Sequence, residues 1–152
     1  MKKFVAIILA VVLCLSVCAC GAKDSSAPVI GICQYGEHGS LDNCREGFIQ
    51  GLKDAGLVEG TDFVIDYQNA SFDDNIDNQI AQSFAAKDVA LMCAIATPSA
   101  VACYAAAEEK DIPVIYTAIS DPEQAKLTSG NITGTSDKLP VDAQLELIRA
   151  IQ

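Results

Sequence analysis

The stretch VALMCAIATPSA, residues 89–100, decides how the chain is read. A continuous apolar run, VALMCAIA, stops at Thr97, Pro98 and Ser99. A strand that is apolar on both alternating sets of side chains has both faces covered, as in the centre of a parallel sheet. Proline is well tolerated in the first turn of a helix. The run therefore predicts a central strand that passes straight into a helix, with hydroxyl groups at the junction. Downstream, IPVIYTAISDP, residues 112–122, follows the same pattern: an apolar run, then Thr117, Ser120 and Asp121 beside Pro122.

Working outward, PVIGICQYG predicts an opening strand that ends in the polar loop QYGEHGS. The helix LDNCREGFIQGLKDAG follows, with Leu41, Cys44, Phe48, Leu52 and Ala55 at helical spacing on one stripe. Ser40 is the expected N-cap and Gly56 the expected stop. DFVIDYQNA alternates and carries Asp66, which predicts an edge strand. FDDNIDNQIAQSFAAKD is a second helix with Ile76, Ile80 and Phe84 on one face. Asp73 and Asp74 sit in its first turn, where the helix dipole favours anions. PSAVACYAAAEEKD is a third helix. NITGTSD is a short fifth strand, and LPVDAQLELIRAIQ a last helix. Strand and helix alternate throughout. The fold class is therefore α/β: a doubly wound, mostly parallel five-stranded sheet with helices on both faces and right-handed crossovers.

The N-terminus reads differently. MKK is a short positive region, FVAIILAVVLCLSV a continuous apolar one, and VCAC places small residues before Cys20. This resembles a bacterial lipoprotein signal with Cys20 as the lipidated residue. A plain N-terminal membrane anchor is the alternative. The expected organisation is a signal peptide over 1–19, a tether over 20–28, an α/β lobe over 29–138, and a helix leading onward over 139–152.

Composition narrows the functions. The chain has 152 residues, a formal net charge of −10 and 51% apolar residues. That supports a real core and argues against disorder. An acidic chain without a basic cluster lacks what nucleic-acid binding requires. Beyond the signal and Cys20, Cys33, Cys44, Cys93 and Cys103 lack the paired spacing of a zinc site. They read as small buried hydrophobes, with a disulfide as the alternative in an exported protein. No cofactor or metal is expected. No GxSxG elbow, HExxH motif or P-loop is present, and QYGEHG lacks GxGxxG. A receiver-type phosphotransfer site would need an acidic pair after the first strand and a lysine after the last. The chain has neither, so a binding protein is expected rather than an enzyme.

In an open parallel sheet, ligands bind beyond the carboxyl ends of the strands, near the reversal of strand order. Gln34, Tyr35, Glu37 and His38 follow the first strand, and Thr97 and Ser99 the third. Thr117, Ser120 and Asp121 follow the fourth, and Asp137 the fifth. Each also has a plainer reading. Thr97 and Ser99 could cap their helix, Asp121 could cap a turn, His38 could be a solvated loop residue, and Tyr35 could be a packing residue.

IGICQYGEHGSLDNCREGFIQGLKDAG, IDYQNA, AIATPSA, IPVIYTAISDP and GNITGTSD together resemble the ABC-transporter substrate-binding proteins of the tryptophan/tyrosine-type group, which have a type I periplasmic-binding fold. The likeness implies an extracytoplasmic lipoprotein, anchored to the cell membrane, that captures a small molecule, expected to be an amino acid and aromatic, and hands it to a membrane permease. It implies that Gln34, Tyr35, Glu37 and His38 line the cleft. Thr97 and Ser99 would hold the ligand carboxylate, and Ser120 with Asp121 its ammonium or polar end. Such proteins close two lobes on the ligand, and LELIRAIQ resembles the helix leading into the second. The chain is thus expected to supply one jaw, and Leu147, Ile148 and Ile151 to form an apolar stripe open to self-association. A lipid-anchored interaction or sensor module is the alternative function.

Overall fold

The computed structural model describes residues 27–151; the expected signal peptide, Cys20 and most of the tether lie outside the described residues. Five strands form one parallel sheet: β1 (Val29–Gln34), β2 (Val64–Asn69), β3 (Leu91–Ile95), β4 (Val114–Ile119) and β5 (Ile132–Ser136). Four helices alternate with them: α1 (Gly39–Asp54), α2 (Asp74–Ala86), α3 (Thr97–Ala107) and α4 (Val141–Ile151). The spatial order is β2-β1-β3-β4-β5, so the path reverses between β1 and β3. β1 leads outward to the edge strand β2, and the chain then returns to place β3 on β1's other side. Register carries the strand ends to one rim. Gln34 lies opposite both Asn69 and Ile95, Ile95 opposite Thr117, and Ile119 opposite Ser136.

The apolar run works as its composition predicts. Met92, Cys93, Ala94 and Ile95 are all buried, because helices cover both sides of β3. α2 and α3 pack on one face, over Cys33, Met92, Ala94, Val114 and Ile119. Buried Ala100, Ala102 and Ala107 let α3 approach closely. Phe84 lies against Gly31, where a Cβ would come within 2.7 Å of the ring, so β1 needs glycine there. α1 covers the other face, with Leu41, Cys44, Phe48, Ile49 and Leu52 against Ile30, Ile32, Phe63, Cys93 and Ile95.

The structure changes four local expectations. α1 begins at Gly39 and its N-cap is His38, not Ser40, because His38 keeps extended backbone while its side chain accepts the Ser40 N–H. Ala55 is the exposed C-cap of α1 and not part of its buried stripe; Ile49 takes that place. Gly56 follows with φ +87, the left-handed stop that glycine allows. In α2, Ile76 is 42% exposed and Asp77 points inward instead. The third helix ends at Ala107 and passes into a 3₁₀ turn, Glu108–Lys110, instead of running on to residue 111.

The described cysteines are free thiols: Cys33, Cys93 and Cys103 are buried and Cys44 is half-buried. Burial pushes the Cys93 thiol up to about 12. A hydrogen bond with Cys103, together with burial, pushes Cys33 up strongly. Both therefore stay protonated and act as core hydrophobes. Every described residue of α4 is exposed, including Leu145, Leu147, Ile148 and Ile151.

Candidate functional site

Of the seven described non-glycine residues with positive φ, four stand at or near the strand-end rim, the others being Asp88, Asp111 and Lys126. Ser71 and Phe72 after β2, Ala96 after β3 and Ala118 near the end of β4 all have positive φ. Ala96, at φ 85 and ψ 159, occupies a region that belongs almost entirely to glycine. At Ala118 the β4–β5 pairing shifts register between Tyr116 and Ile119. Strain of this kind persists where the surrounding structure over-determines it, often at binding sites.

β3 delivers a helix terminus. The N-cap of α3 is Ala96, which has no side chain able to cap, and no side-chain cap bond is present. Thr97, Pro98 and Ser99 open the helix, and Pro98 has no N–H. The Thr97 N–H is thus left at the rim without a side-chain cap, at the positive end of the helix dipole, with the Ser99 N–H buried behind it. That is a seat for a carboxylate. Thr97 does not cap the helix; its side chain is half-buried and lines a crevice of about 340 Å³ with Asp74, Asp77, Asn78, Pro98, Val101 and Ala102.

Ser99 faces the other way. It is fully buried and its hydroxyl donates to Asp77 Oδ1 at 2.8 Å. Cys33 Sγ donates to the same oxygen at 3.0 Å. Asp77 Oδ2 is buried with no hydrogen-bond partner. One carboxylate thus joins β1, α2 and α3 beneath the rim. The sequence offered little sign of Asp77, because α2 carries several acidic residues and only the rotation of the helix separates this one from the exposed set.

The end of β1 is a polar network. Gln34 is fully buried. Its Nε2 donates to Gly36 O (2.8 Å) and Asp42 Oδ1 (2.9 Å), and its Oε1 accepts from Arg45 Nη1 (3.0 Å). With both ends of its amide engaged, Gln34 shapes the loop from beneath. Arg45 also donates to Tyr67 Oη at 2.9 Å, and its guanidinium carbon lies 4.6 Å from that ring's centroid. Tyr35 is half-buried at the reversal of strand order, and its hydroxyl donates to Asp74 Oδ1 at 2.8 Å. That bond holds the phenol above its ordinary range. Glu37 and His38 are exposed; His38 Nδ1 lies 2.8 Å from Ser40 Oγ.

β4 and β5 complete the rim. Thr117 and Thr135 share a hydroxyl hydrogen bond at 3.2 Å. Thr117 lines an apolar groove of about 340 Å³ beside α1, with Cys44, Phe48, Cys93 and Ile115 among its walls. Ser120 is exposed, and its carbonyl accepts from Ser136 Oγ at 3.3 Å. Asp121 Oδ1 accepts from the Gln124 N–H at 2.9 Å, so it caps the following turn. Asp137 is exposed, and its backbone N–H donates to Ile119 O.

A rim of hydroxyls, a carboxylate and an uncapped helix end on one doubly wound lobe is an arrangement for holding a small polar molecule. The family model for ABC transporter substrate-binding proteins matches residues 29–152. The chain belongs to this family. A tyrosine-binding protein of Clostridioides difficile (strain R20291) is 44% identical over 128 residues, covering 80% of this chain and 36% of that relative. Among solved structures, a ligand-free, open substrate-binding protein with adhesive properties from Clostridium difficile is 41% identical, with a TM-score of 0.76 over 82% of this chain and 43% of that one. An ABC domain in complex with L-Trp from Streptococcus pneumonia is 36% identical, with a TM-score of 0.70 over 80% of this chain and 42% of that one. The chain thus spans about two fifths of these relatives. Within that family the chain corresponds to one lobe of the periplasmic-binding fold.

Proposed function

We propose that the chain captures an amino acid with an aromatic side chain at this rim, outside the cytoplasm, and presents it to an ABC permease. The observation that carries the reading is the uncapped N-terminus of α3, built on Ala96, Thr97 and Ser99 at the carboxyl edge of the sheet. In this reading the Thr97 hydroxyl and N–H take the ligand carboxylate, and Ser99, buried behind them on Asp77, fixes the helix end in place. Asp121 and Ser120, at the end of β4, take its ammonium. Tyr35, Glu37 and His38 border the cleft, Asp137 stands at the rim's far end, and Gln34 holds the β1 loop in shape. The ligands in the names of the two relatives, tyrosine and L-Trp, support an aromatic side chain.

The signal-like segment and Cys20 support a lipid anchor that keeps the protein at the outer face of the membrane. Membrane fractionation of the native chain and of Cys20→Ala tests this: the variant is expected to leave the membrane. The exposed Leu147, Ile148 and Ile151 of α4 support contact with a second protein surface or a second copy. Sedimentation across a concentration series tests self-association, which a single monomeric species at high concentration would contradict.

Small-molecule sites normally bury most of their ligand. The described lobe offers one open wall, so binding by the chain on its own is expected near millimolar Kd, about 4 kcal/mol. At ten times Kd a ligand adds about 1.4 kcal/mol of stability. A thermal-shift screen of the twenty amino acids should therefore raise the melting temperature with aromatic members. No shift with any of them would refute the reading.

A further inference from the structure

The turn between β2 and α2 exposes a large ring at the rim. Phe72 is 55% exposed. Its φ is +63, and that of Ser71 before it is +53. Left-handed backbone is uncommon for any residue but glycine, and a bulky side chain there is an outlier. The Phe72 N–H donates to Tyr35 O at 2.7 Å, which ties the turn to the loop after β1. The ring lies over Gly36, where any side chain would overlap it. It meets Tyr35 edge to face, with centroids 5.7 Å apart and planes at 87°. The Tyr35 hydroxyl is held in turn by Asp74. The Tyr35 N–H donates to Ile95 O, two residues before Thr97. Along the rim the order is therefore Phe72, Tyr35, then the α3 N-terminus.

A half-exposed phenylalanine in strained backbone contributes little to the core. Placed beside an amino-acid site, it has an evident use. We propose that Phe72, backed by Tyr35 and admitted by Gly36, is the specificity-determining wall that receives the ligand's aromatic side chain while the α3 N-terminus holds its carboxylate. This rests on the amino-acid reading of the rim and adds the residue that selects among amino acids. Aromatic rings prefer edge-to-face or offset contacts, and the Phe72–Tyr35 pair already stands at a right angle. A third ring can join it by the same geometry.

The test is an NMR titration of the chain with L-tryptophan, L-tyrosine, L-leucine and L-alanine, for the native sequence, Phe72→Ala and Phe72→Gly. The native chain should favour the aromatic ligands. Both variants should lose roughly three- to tenfold in aromatic affinity, with leucine and alanine affinities little changed. Phe72→Gly should melt at or above the native temperature, since glycine accepts positive φ without strain. An unchanged aromatic-to-aliphatic ratio in both variants would overturn the proposal, all the more if both melt lower, as a packing role requires. Equal native affinity for aromatic and aliphatic ligands would overturn it while leaving amino-acid capture intact. Binding of no amino acid would instead overturn the capture reading, and this proposal with it.

Discussion

The ends of β3 and β4 begin alike and finish differently. Each strand is an apolar run that reaches a left-handed alanine, Ala96 at φ 85 and Ala118 at φ 58. Each then presents hydroxyl groups beside a proline. From β3 the chain enters an eleven-residue helix whose first turn has no side-chain cap. From β4 it enters a turn that Asp121 caps with its own carboxylate. One end therefore offers a backbone N–H group beside Asp74 and Asp77, and the other a carboxyl side chain already engaged in a turn. Similar local sequences have produced different polar groups on one rim.

The largest expected effect comes from the core on which all the strands rest. Phe84 is fully buried against Gly31. Phe84→Ala should destabilise the lobe as a whole by about 3–5 kcal/mol, measured by urea unfolding, without favouring either strand end.

A more selective cut is Ser99→Ala, which removes a hydrogen bond to buried Asp77. Leaving a buried group without its hydrogen-bond partner costs about 1–3 kcal/mol, and this variant should lose a similar amount. Its amide shift changes should centre on α3 and α2 and spare residues 118–124. Equal disturbance at both ends would contradict the separation drawn here.

The two alanines sharpen the contrast further. Ala96→Gly should stabilise by about 1 kcal/mol, because its backbone lies where only glycine rests easily. Ala118→Gly should gain less, since φ 58 lies nearer the ordinary left-handed region.

The smallest expected effect comes from acid. Asp73 caps α2 by accepting the Ile76 and Asn75 N–H groups, which hold its carboxyl below the usual range. At Asp66, burial raises the pKa, but hydrogen bonds from Lys87 and Gln68 outweigh it and the net shift is downward. Both contributions are complete above the unfolded pKa of about 4 and vanish as pH falls through the lower folded values. A modest loss of stability below pH 4 should follow, seen by circular dichroism. Tyr35 works in the opposite sense. Its raised pKa favours the protonated phenol in the fold, so that contribution holds below about pH 10 and is lost as pH rises further.

Much of this architecture was legible in the sequence. The unbroken apolar run of β3 marked the centre of a parallel sheet, and strand–helix alternation supplied the winding. The polar residues after each strand then fell on one rim, because a parallel topology leaves them nowhere else. What the sequence hid depended on rotation or on backbone conformation. Asp77 and Ile76 exchange inside and outside through a small turn of α2. Ser99 looked like a ligand-facing hydroxyl, yet it bonds inward to a residue twenty-two positions earlier. Phe72 reads as the first residue of the second helix, but the helix begins at Asp74, and the positive φ of Phe72 turns its ring over Gly36.

The central claim is that the α3 N-terminus seats the ligand carboxylate. Its most direct test is the amide spectrum of ¹⁵N-labelled chain during titration with L-tryptophan. The account predicts the largest shifts at the Thr97 and Ser99 amides, followed by Tyr35 and Phe72, and none of comparable size in α4. Saturable binding that left the Thr97 and Ser99 amides unmoved would contradict it.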